Sequence, residues 1–398
     1  MTSSAIHPAR ELRIPDQERV ARARRKPELG PRILFFTGGT ALRETSLTLV
    51  GYTHNSIHLV SPFDSGGSSA SLRRHFGMPA VGDLRSRLMA LADRTRHGLP
   101  QIYELFAYRL PRTATPQQLR DELADLVGGG HRLAARVADP GRKVILHYLQ
   151  RFKEEAGPCF DLRGASIGNL ILAAGYLENG RSMDPIASVF SDLVQVRGEV
   201  RLTLNADLQL RAELEGGEHI VGQHLLTGKE APPITRPVVE LSLVDPARGN
   251  EPVRPAVRDK ITAAIQGADL ICYPVGSFYS SIVANLLPAG VGMAVSRAAC
   301  PKVFIPNTFP DPECIGLSLA GQVRILLHHL RADAPDAIAV GDVLDAVLLD
   351  PDVSYPGAED PARELSALGI RVVRTRLASG NTGAIDPHLL CRALVSLA

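Results

Sequence analysis

Short apolar runs that end in glycine and pass into a helical stretch recur along the chain. This pattern restricts the fold more than any other feature. Residues 32–36 run into Thr37-Gly38-Gly39-Thr40 and then into a helical stretch at 41–49. Residues 56–60 run into a Gly/Ser loop, and residues 270–273 into a loop at 274–277 followed by a helix over 279–288. Residues 303–305 precede a helix over 317–331, 346–349 and 370–373 read as late strands, and 386–397 closes the chain as a helix with Pro387 in its first turn. A short apolar run without alternation is buried on both faces, which marks a parallel strand. Strands alternating with helices therefore predict an α/β fold with a doubly wound, mostly parallel sheet.

Two stretches depart from that rhythm. Residues 82–97, 116–127, 142–155 and 163–177 carry helical periodicity, with Leu84, Leu88, Leu91 and Ala92 on one face of the first. Residues 199–245 instead alternate apolar and polar, as in Val200, Leu202, Leu204, Leu208 and Leu210. That is the period of half-exposed antiparallel strand, and it predicts an inserted antiparallel β-rich subdomain at about 190–245. The expected organisation is a basic N-terminal segment, 1–30, and an α/β domain, 31–398.

Charge and composition narrow the class of partner. The chain of 398 residues has a formal net charge of +2, and residues 1–32 hold eight basic and four acidic residues. The body is thus slightly acidic, and nucleic acid is not the expected partner. The first 30 residues read as a solvated tail. Only six basic residues are Lys, so 38 are Arg, whose planar fork suits phosphate and carboxylate. There is no Trp for stacking on bases or sugars. Five cysteines with no C-x-x-C spacing fit a reduced, zinc-free cytoplasmic protein. No apolar run approaches the roughly 18 residues of a membrane span, so no membrane association is expected.

In an open α/β sheet the ligand sits beyond the carboxyl ends of the strands, where strand order reverses. Four loops have a composition for that place. Thr37, Gly38, Gly39 and Thr40 follow a strand, where backbone N–H groups and a helix start can meet an anion. The same residues would equally make a tight turn. Asp64-Ser65-Gly66-Gly67-Ser68-Ser69 joins one carboxylate, two glycines and three hydroxyls. A carboxylate beside phosphate-binding N–H groups makes sense if it holds Mg²⁺, and a capped loop is the alternative. Asp83 either caps the following helix or faces the ligand. Arg85 and Arg87 in the first turn oppose the helix dipole, which an anion nearby would explain. Ser166, Gly168 and Asn169 open another helix, where Asn169 offers both a donor and an acceptor. Gly276 and Ser277 form a further strand-to-helix loop. Arg73 and Arg74 follow the second loop and could face the same anion. No G-x-S-x-G elbow, H-E-x-x-H or Walker A sequence is present.

These loops in this order resemble the CofD/YvcK family, which includes 2-phospho-L-lactate transferases. The matching stretches are FFTGGTAL, SPFDSGGSSASLR, GDLRSRLMALAD, LFAYRL, GASIGNLILAAG, QVRGEVRLTLNADLQLRAELEGG and PVGSFYSSIVANLLPAGV, spread over about 32–330. Their spelling is most similar to CofD-like proteins of the GAK cassettes, whose neighbours include an ATP-grasp-like and an HPr-kinase-like protein. The resemblance implies a Rossmann-like fold and a homo-oligomer, with a homodimer expected. In the transferase branch a nucleoside-diphosphate-linked lactate is the donor, a deazaflavin hydroxyl the acceptor, and Mg²⁺ bridges the phosphates. In the YvcK branch a UDP-sugar is bound and the role is regulatory.

Under the transferase reading, a phospholactate-like phosphoester group passes from a nucleoside-diphosphate-activated donor to an acceptor hydroxyl. Asp64, Asp83 and Arg85 are then the expected catalytic residues, with Asp64 on the metal. Thr37, Gly38, Gly39, Thr40, Ser65, Gly66, Gly67, Ser68, Ser69, Arg73, Ser166, Gly168, Asn169, Gly276 and Ser277 are the expected nucleotide and phosphate contacts. Three loops depart from the family spelling. The first reads Gly38-Gly39-Thr40-Ala41 rather than Gly-Gly-Thr-Gly, the second has Asp64-Ser65 for the usual Asp-Asp and Ala70 for its last glycine, and the last reads Pro274-Val-Gly-Ser277 rather than Gly-Pro-Gly-Ser. The missing carboxylate leaves a non-catalytic nucleotide-sugar-binding regulator as the alternative.

Overall fold

The computed structural model describes residues 14–94, 99–228, 231–357, 360–380 and 383–398. Eleven strands are formed by these residues: β1 (Ile33–Thr37), β2 (Ile57–Val60), β3 (Glu199–Leu202), β4 (Gln209–Leu214), β5 (His219–Val221), β6 (Val238–Asp245), β7 (Glu251–Val253), β8 (Leu270–Tyr273), β9 (Lys302–Phe304), β10 (Ala346–Leu349) and β11 (Arg371–Arg374). Seven of them make one sheet in the order β11-β10-β9-β8-β1-β2-β3, with every neighbouring pair parallel. The other four make a separate antiparallel sheet, β5-β4-β6-β7.

β1 lies in the interior of the sheet, beside the central strand β8, and both its faces are apolar. Leu34 and Phe36 pack toward the antiparallel sheet with Leu210, Ala212 and Tyr273. Ile33 and Phe35 pack on the opposite face with Leu390 and Leu394 of the C-terminal helix Pro387–Leu397. The side chains of Ile33, Leu34, Phe35 and Phe36 are fully buried, and each contributes roughly 1.5–3 kcal/mol. A third core gathers the helices that lie between β2 and β3 in the chain. From β1 the chain runs outward on one side to β2 and β3, then returns to place β8 on the other side of β1. The strand order therefore reverses between β1 and β8, and the loops that follow these two strands open onto one crevice.

Two boundaries differ from the sequence expectation. β3 belongs to the parallel sheet, paired with β2 from Ile57↔Glu199 to Val60↔Leu202. As the edge strand it is buried at alternate residues, so its period imitates antiparallel strand. The inserted antiparallel sheet is thus Gln209–Val253 rather than 190–245. The basic segment is also not a solvated tail throughout. Gln17–Arg25 is a helix capped by Asp16, with Val20 and Ala23 buried against the C-terminal helix and the Asp16 N–H donating to Ser396 Oγ at 2.8 Å. Residues 1–13 lie outside the described residues. Among the described residues no helix is long and apolar enough to cross a membrane.

Candidate functional site

A cleft of about 240 Å³ opens at the point where the strand order reverses. The β1 loop supplies Thr37, Gly38, Gly39 and Thr40, and the β8 loop Gly276 and Ser277. Asp64 and Gly66 come from the turn before the helix Gly67–Phe76, Asp83 from the first turn of the helix Gly82–Ala90, and Gln223, His224 and Thr227 from the short helix Gln223–Leu226 that follows β5 and its C-terminal cap. Eight of the residues singled out from the sequence thus meet there with Asp64: Thr37, Gly38, Gly39, Thr40, Gly66, Asp83, Gly276 and Ser277.

The β1 loop is held from beneath. Arg87 is fully buried, and its guanidinium donates to Gly38 O at 2.8 Å, Thr37 Oγ1 at 3.0 Å, Leu42 O at 3.0 Å, Gly39 O at 3.4 Å and Ser46 Oγ. Burial lowers this guanidinium to about 10, so it stays cationic at neutral pH. Asn285 Nδ2 donates to Thr37 O at 3.1 Å and fixes the strand end. With the Gly38 and Gly39 carbonyls turned toward Arg87, their peptide planes are set. The two glycines are needed for space. A Cβ on Gly38 would collide with Ser281 Oγ, and one on Gly39 with the Asp83 carboxylate.

The two carboxylates flank this loop. Asp83 stands over Gly39 inside the helix Gly82–Ala90, where Val81 and not Asp83 holds the cap position. Asp64 Oδ1 accepts the Gly66 N–H at 3.0 Å, and its Oδ2 approaches Gly82. The helices Gly67–Phe76 and Gly82–Ala90 both begin beside them without a side-chain cap. Such helix starts carry positive dipole ends.

The donors here are oxygen atoms of two carboxylates and several hydroxyls, a set that fits a hard cation such as Mg²⁺. No group of three or more His, Cys, Asp or Glu suited to a metal occurs among the described residues. A cation here would have to be held by one or two carboxylates together with ligand phosphates and water. Asp64 and Asp83 would hold it, and it would neutralise phosphate charge beside them.

Several expected contacts have other tasks. Arg73 does not face the cleft. All its donors are used, on Asp207 Oδ1 (2.9 and 2.8 Å), Phe63 O, Asp64 O and Leu208 O. It ties the Asp64 loop to the antiparallel sheet, and Arg74 is exposed. Arg85 is mostly buried and donates to Phe106 O at 3.5 Å, and a Cβ on Gly168 would lie 2.7 Å from its Cδ. Burial, with the Arg109 charge nearby, pushes its pKa down to about 10. Asn169 is buried and donates to Ser68 Oγ at 2.9 Å, while Ser166 Oγ donates to Phe106 O. Ser68, Ser166, Gly168, Asn169 and Arg85 thus form a corner behind the loop, with Arg85 Nε and Asn169 Oδ1 buried and unpartnered. Ser69 Oγ accepts the Gly82 N–H at 3.2 Å, joining the two helix starts, and Gly67 is exposed with φ +48°.

The β8 loop also differs from an anion loop. Gly276 N donates to Asn307 Oδ1, Phe278 N to Asp311 Oδ2, and Tyr279 N and Ser280 N to Glu313 Oε2, all at 2.8–2.9 Å. Carboxylates of the protein itself occupy the helix start where a phosphate was expected. Burial, with Asp311 beside it, raises Glu313 to about 7. Gly276 and Ser277 remain in the cleft wall. Sequence reasoning missed His224, Gln223, Thr227, Ser281, Asn285, Asn307 and Glu313. The alternation around 199–245 located the inserted sheet, but no local motif marked its contact with the cleft.

A family sequence model described as 2-phospho-L-lactate transferase CofD matches residues 33–378. The chain belongs to the CofD family. Gluconeogenesis factor of Bacillus subtilis (strain 168) is 28% identical over 376 residues, covering 92% of this chain and 98% of that one. A putative gluconeogenesis factor of Thermoanaerobacterium thermosulfurigenes is 30% identical over 310 residues, 76% of each chain. The crystal structure of a upf0052 family protein from Bacillus halodurans superposes with a TM-score of 0.65 at 20% identity, over 92% of this chain and 99% of that one. That likeness shows a shared fold, a parallel α/β sheet with a separate antiparallel one.

Proposed function

We propose that the chain is a CofD-type transferase of a substituted phosphate group. In this reading it moves a phospholactate-like phosphoester from a nucleoside-diphosphate-activated donor to an acceptor hydroxyl, assisted by Mg²⁺, and a nucleoside monophosphate leaves. The observation that carries the reading is the pair Asp64 and Asp83 set against the Gly38-Gly39 loop at the strand-order reversal. Carboxylates beside an anion cradle repel the ligand unless a divalent cation joins them, and that combination serves phosphoryl chemistry. Transfer of this kind needs positioning and charge neutralisation more than a protein nucleophile, so the missing nucleophile is consistent with it. Membership in a family described by a transferase supports it further.

A second reading has its own support. The curated relatives are named gluconeogenesis factor, and Ser65 stands where a second carboxylate would strengthen cation binding. In that reading the cleft holds a nucleotide sugar and the protein regulates without turnover. Incubating the protein and Mg²⁺ with a nucleoside-diphosphate-linked lactate and a deazaflavin separates the two. Release of nucleoside monophosphate, abolished in Asp64→Ala, supports the transferase. Tight retention of a nucleotide sugar with no monophosphate released supports the regulator.

A further inference from the structure

The lining of the cleft has an uneven charge. It includes two carboxylates, and among its described residues there is neither Lys nor Arg. One lining side chain carries a basic nitrogen, His224, and it comes from the turn that follows β5 in the antiparallel sheet. An anionic ligand in this cleft therefore meets a single nitrogenous side chain besides the amide of Gln223.

The imidazole is held in a built seat. Ser65 Oγ accepts the backbone N–H of His224 at 3.1 Å and lies 2.7 Å from Nδ1. With the N–H taking one lone pair, pointing the Ser65 O–H at Nδ1 satisfies both groups. The neutral ring then carries its proton on Nε2. Nε2 has no hydrogen-bond partner among the described residues. Gly222 makes room for the ring: its φ is +115°, and a Cβ there would lie 2.9 Å from His224 Cε1 and 3.5 Å from Ser65 Oγ. Two residues far apart in sequence and one glycine thus fix the ring edge that remains free.

We infer that His224 Nε2–H is a side-chain donor of the cleft to a phosphate oxygen of a nucleoside diphosphate, and that Ser65 is the positioning residue that aims it. This rests on the nucleotide reading above and holds for a transferase and a regulator alike. It gives the inserted sheet a task, since that sheet brings the donor to a cradle built by the parallel one. It also gives Ser65 a role that a carboxylate at the same position would perform differently. An ionised carboxylate cannot donate to Nδ1, so it would move the ring proton to Nδ1 and leave Nε2 an acceptor.

The test is calorimetric titration of UDP and of GDP, each with Mg²⁺, into the full chain and into His224→Ala, His224→Gln and Ser65→Ala. His224→Ala is expected to weaken diphosphate binding about tenfold, the scale of one hydrogen bond to a charged oxygen. His224→Gln, whose amide N–H reaches a similar place, recovers most of the loss. Ser65→Ala loses several-fold. In ¹⁵N-labelled parent protein, the Nε2 signal of His224 shifts on adding the diphosphate, which a merely structural histidine would not show. Parent-like affinity in His224→Ala, or an unmoved Nε2 signal, overturns the inference and leaves the nucleotide reading standing. Failure of the parent to bind either diphosphate overturns both.

Discussion

Arg87 Nη2 lies 2.8 Å from the carbonyl oxygen of Gly38, inside the protein and beneath the loop that forms the cleft floor. The same guanidinium serves Gly39, Leu42, Thr37 and Ser46, so five acceptors depend on one side chain. Arg87→Met is expected to strand buried carbonyls and cost about 3 kcal/mol or more, read as a lower urea midpoint. Arg87→Lys supplies charge without the fork and is expected to recover only part of it. At temperatures where either variant is folded, diphosphate affinity should fall, because the loop's peptide planes are no longer held.

Gly39 and Asp83 are coupled by space. A Cβ on Gly39 would overlap the Asp83 carboxylate, so Gly39→Ala is expected to destabilise by about 1–3 kcal/mol. Asp83→Ala should relieve most of that overlap. The double variant is then expected to be more stable than the sum of the singles implies, by about 1 kcal/mol, in a double-mutant cycle of urea midpoints. Additive effects would mean that the two groups do not meet.

Much of this arrangement was legible in the sequence. A buried parallel strand needs an uninterrupted apolar run, and residues 33–36 supply one; a close approach of backbone to a ligand or carboxylate needs glycine, and Gly38 and Gly39 supply it. Arginine was the residue type that misled. Arg73, Arg85 and Arg87 all fall within or just after the loops, yet a guanidinium serves a buried carbonyl as well as it serves a phosphate. Sequence position cannot tell which way the side chain turns: Arg73 and Arg87 turn inward, and Arg85 runs along Gly168. His224 and Glu313 were missed for another reason. Each reaches its partner, Ser65 or the 278–280 helix start, across more than thirty residues of chain, and only the tertiary fold sets that contact.

In the proposed reading Asp64 would link the loop to a cation. Its Oδ1 already orients the Gly66 N–H, and the carboxylate remains in the cleft wall. Diphosphate affinity of the parent is expected to rise at least tenfold between EDTA and millimolar Mg²⁺. Asp64→Asn keeps the acceptor for Gly66 but loses the charge, so the Mg²⁺ dependence should shrink to about twofold while affinity in EDTA is unchanged or improved. Titration calorimetry at both conditions checks this, and an undiminished Mg²⁺ effect would assign the cation to Asp83.

Glu313 gives the fold a pH dependence of defined sign. Burial raises it to about 7 in the folded protein from an ordinary value of 4.5, so between these values the folded chain holds a proton that the unfolded chain has released. Stability should therefore fall as pH rises from about 4.5 to 7 from this group alone, by on the order of 3 kcal/mol in total. Glu313→Gln keeps an oxygen for the Tyr279 and Ser280 N–H groups, and its amide replaces the Oε1 that accepts from Ser280 Oγ, a hydrogen bond that reverses when the hydroxyl rotates. It carries no titration, so the difference in urea-unfolding free energy between variant and parent should grow in the variant's favour across that window. A constant difference from pH 4.5 to 7.5 would mean that Glu313 is ionised throughout, held by the three donors that face it rather than neutralised by burial.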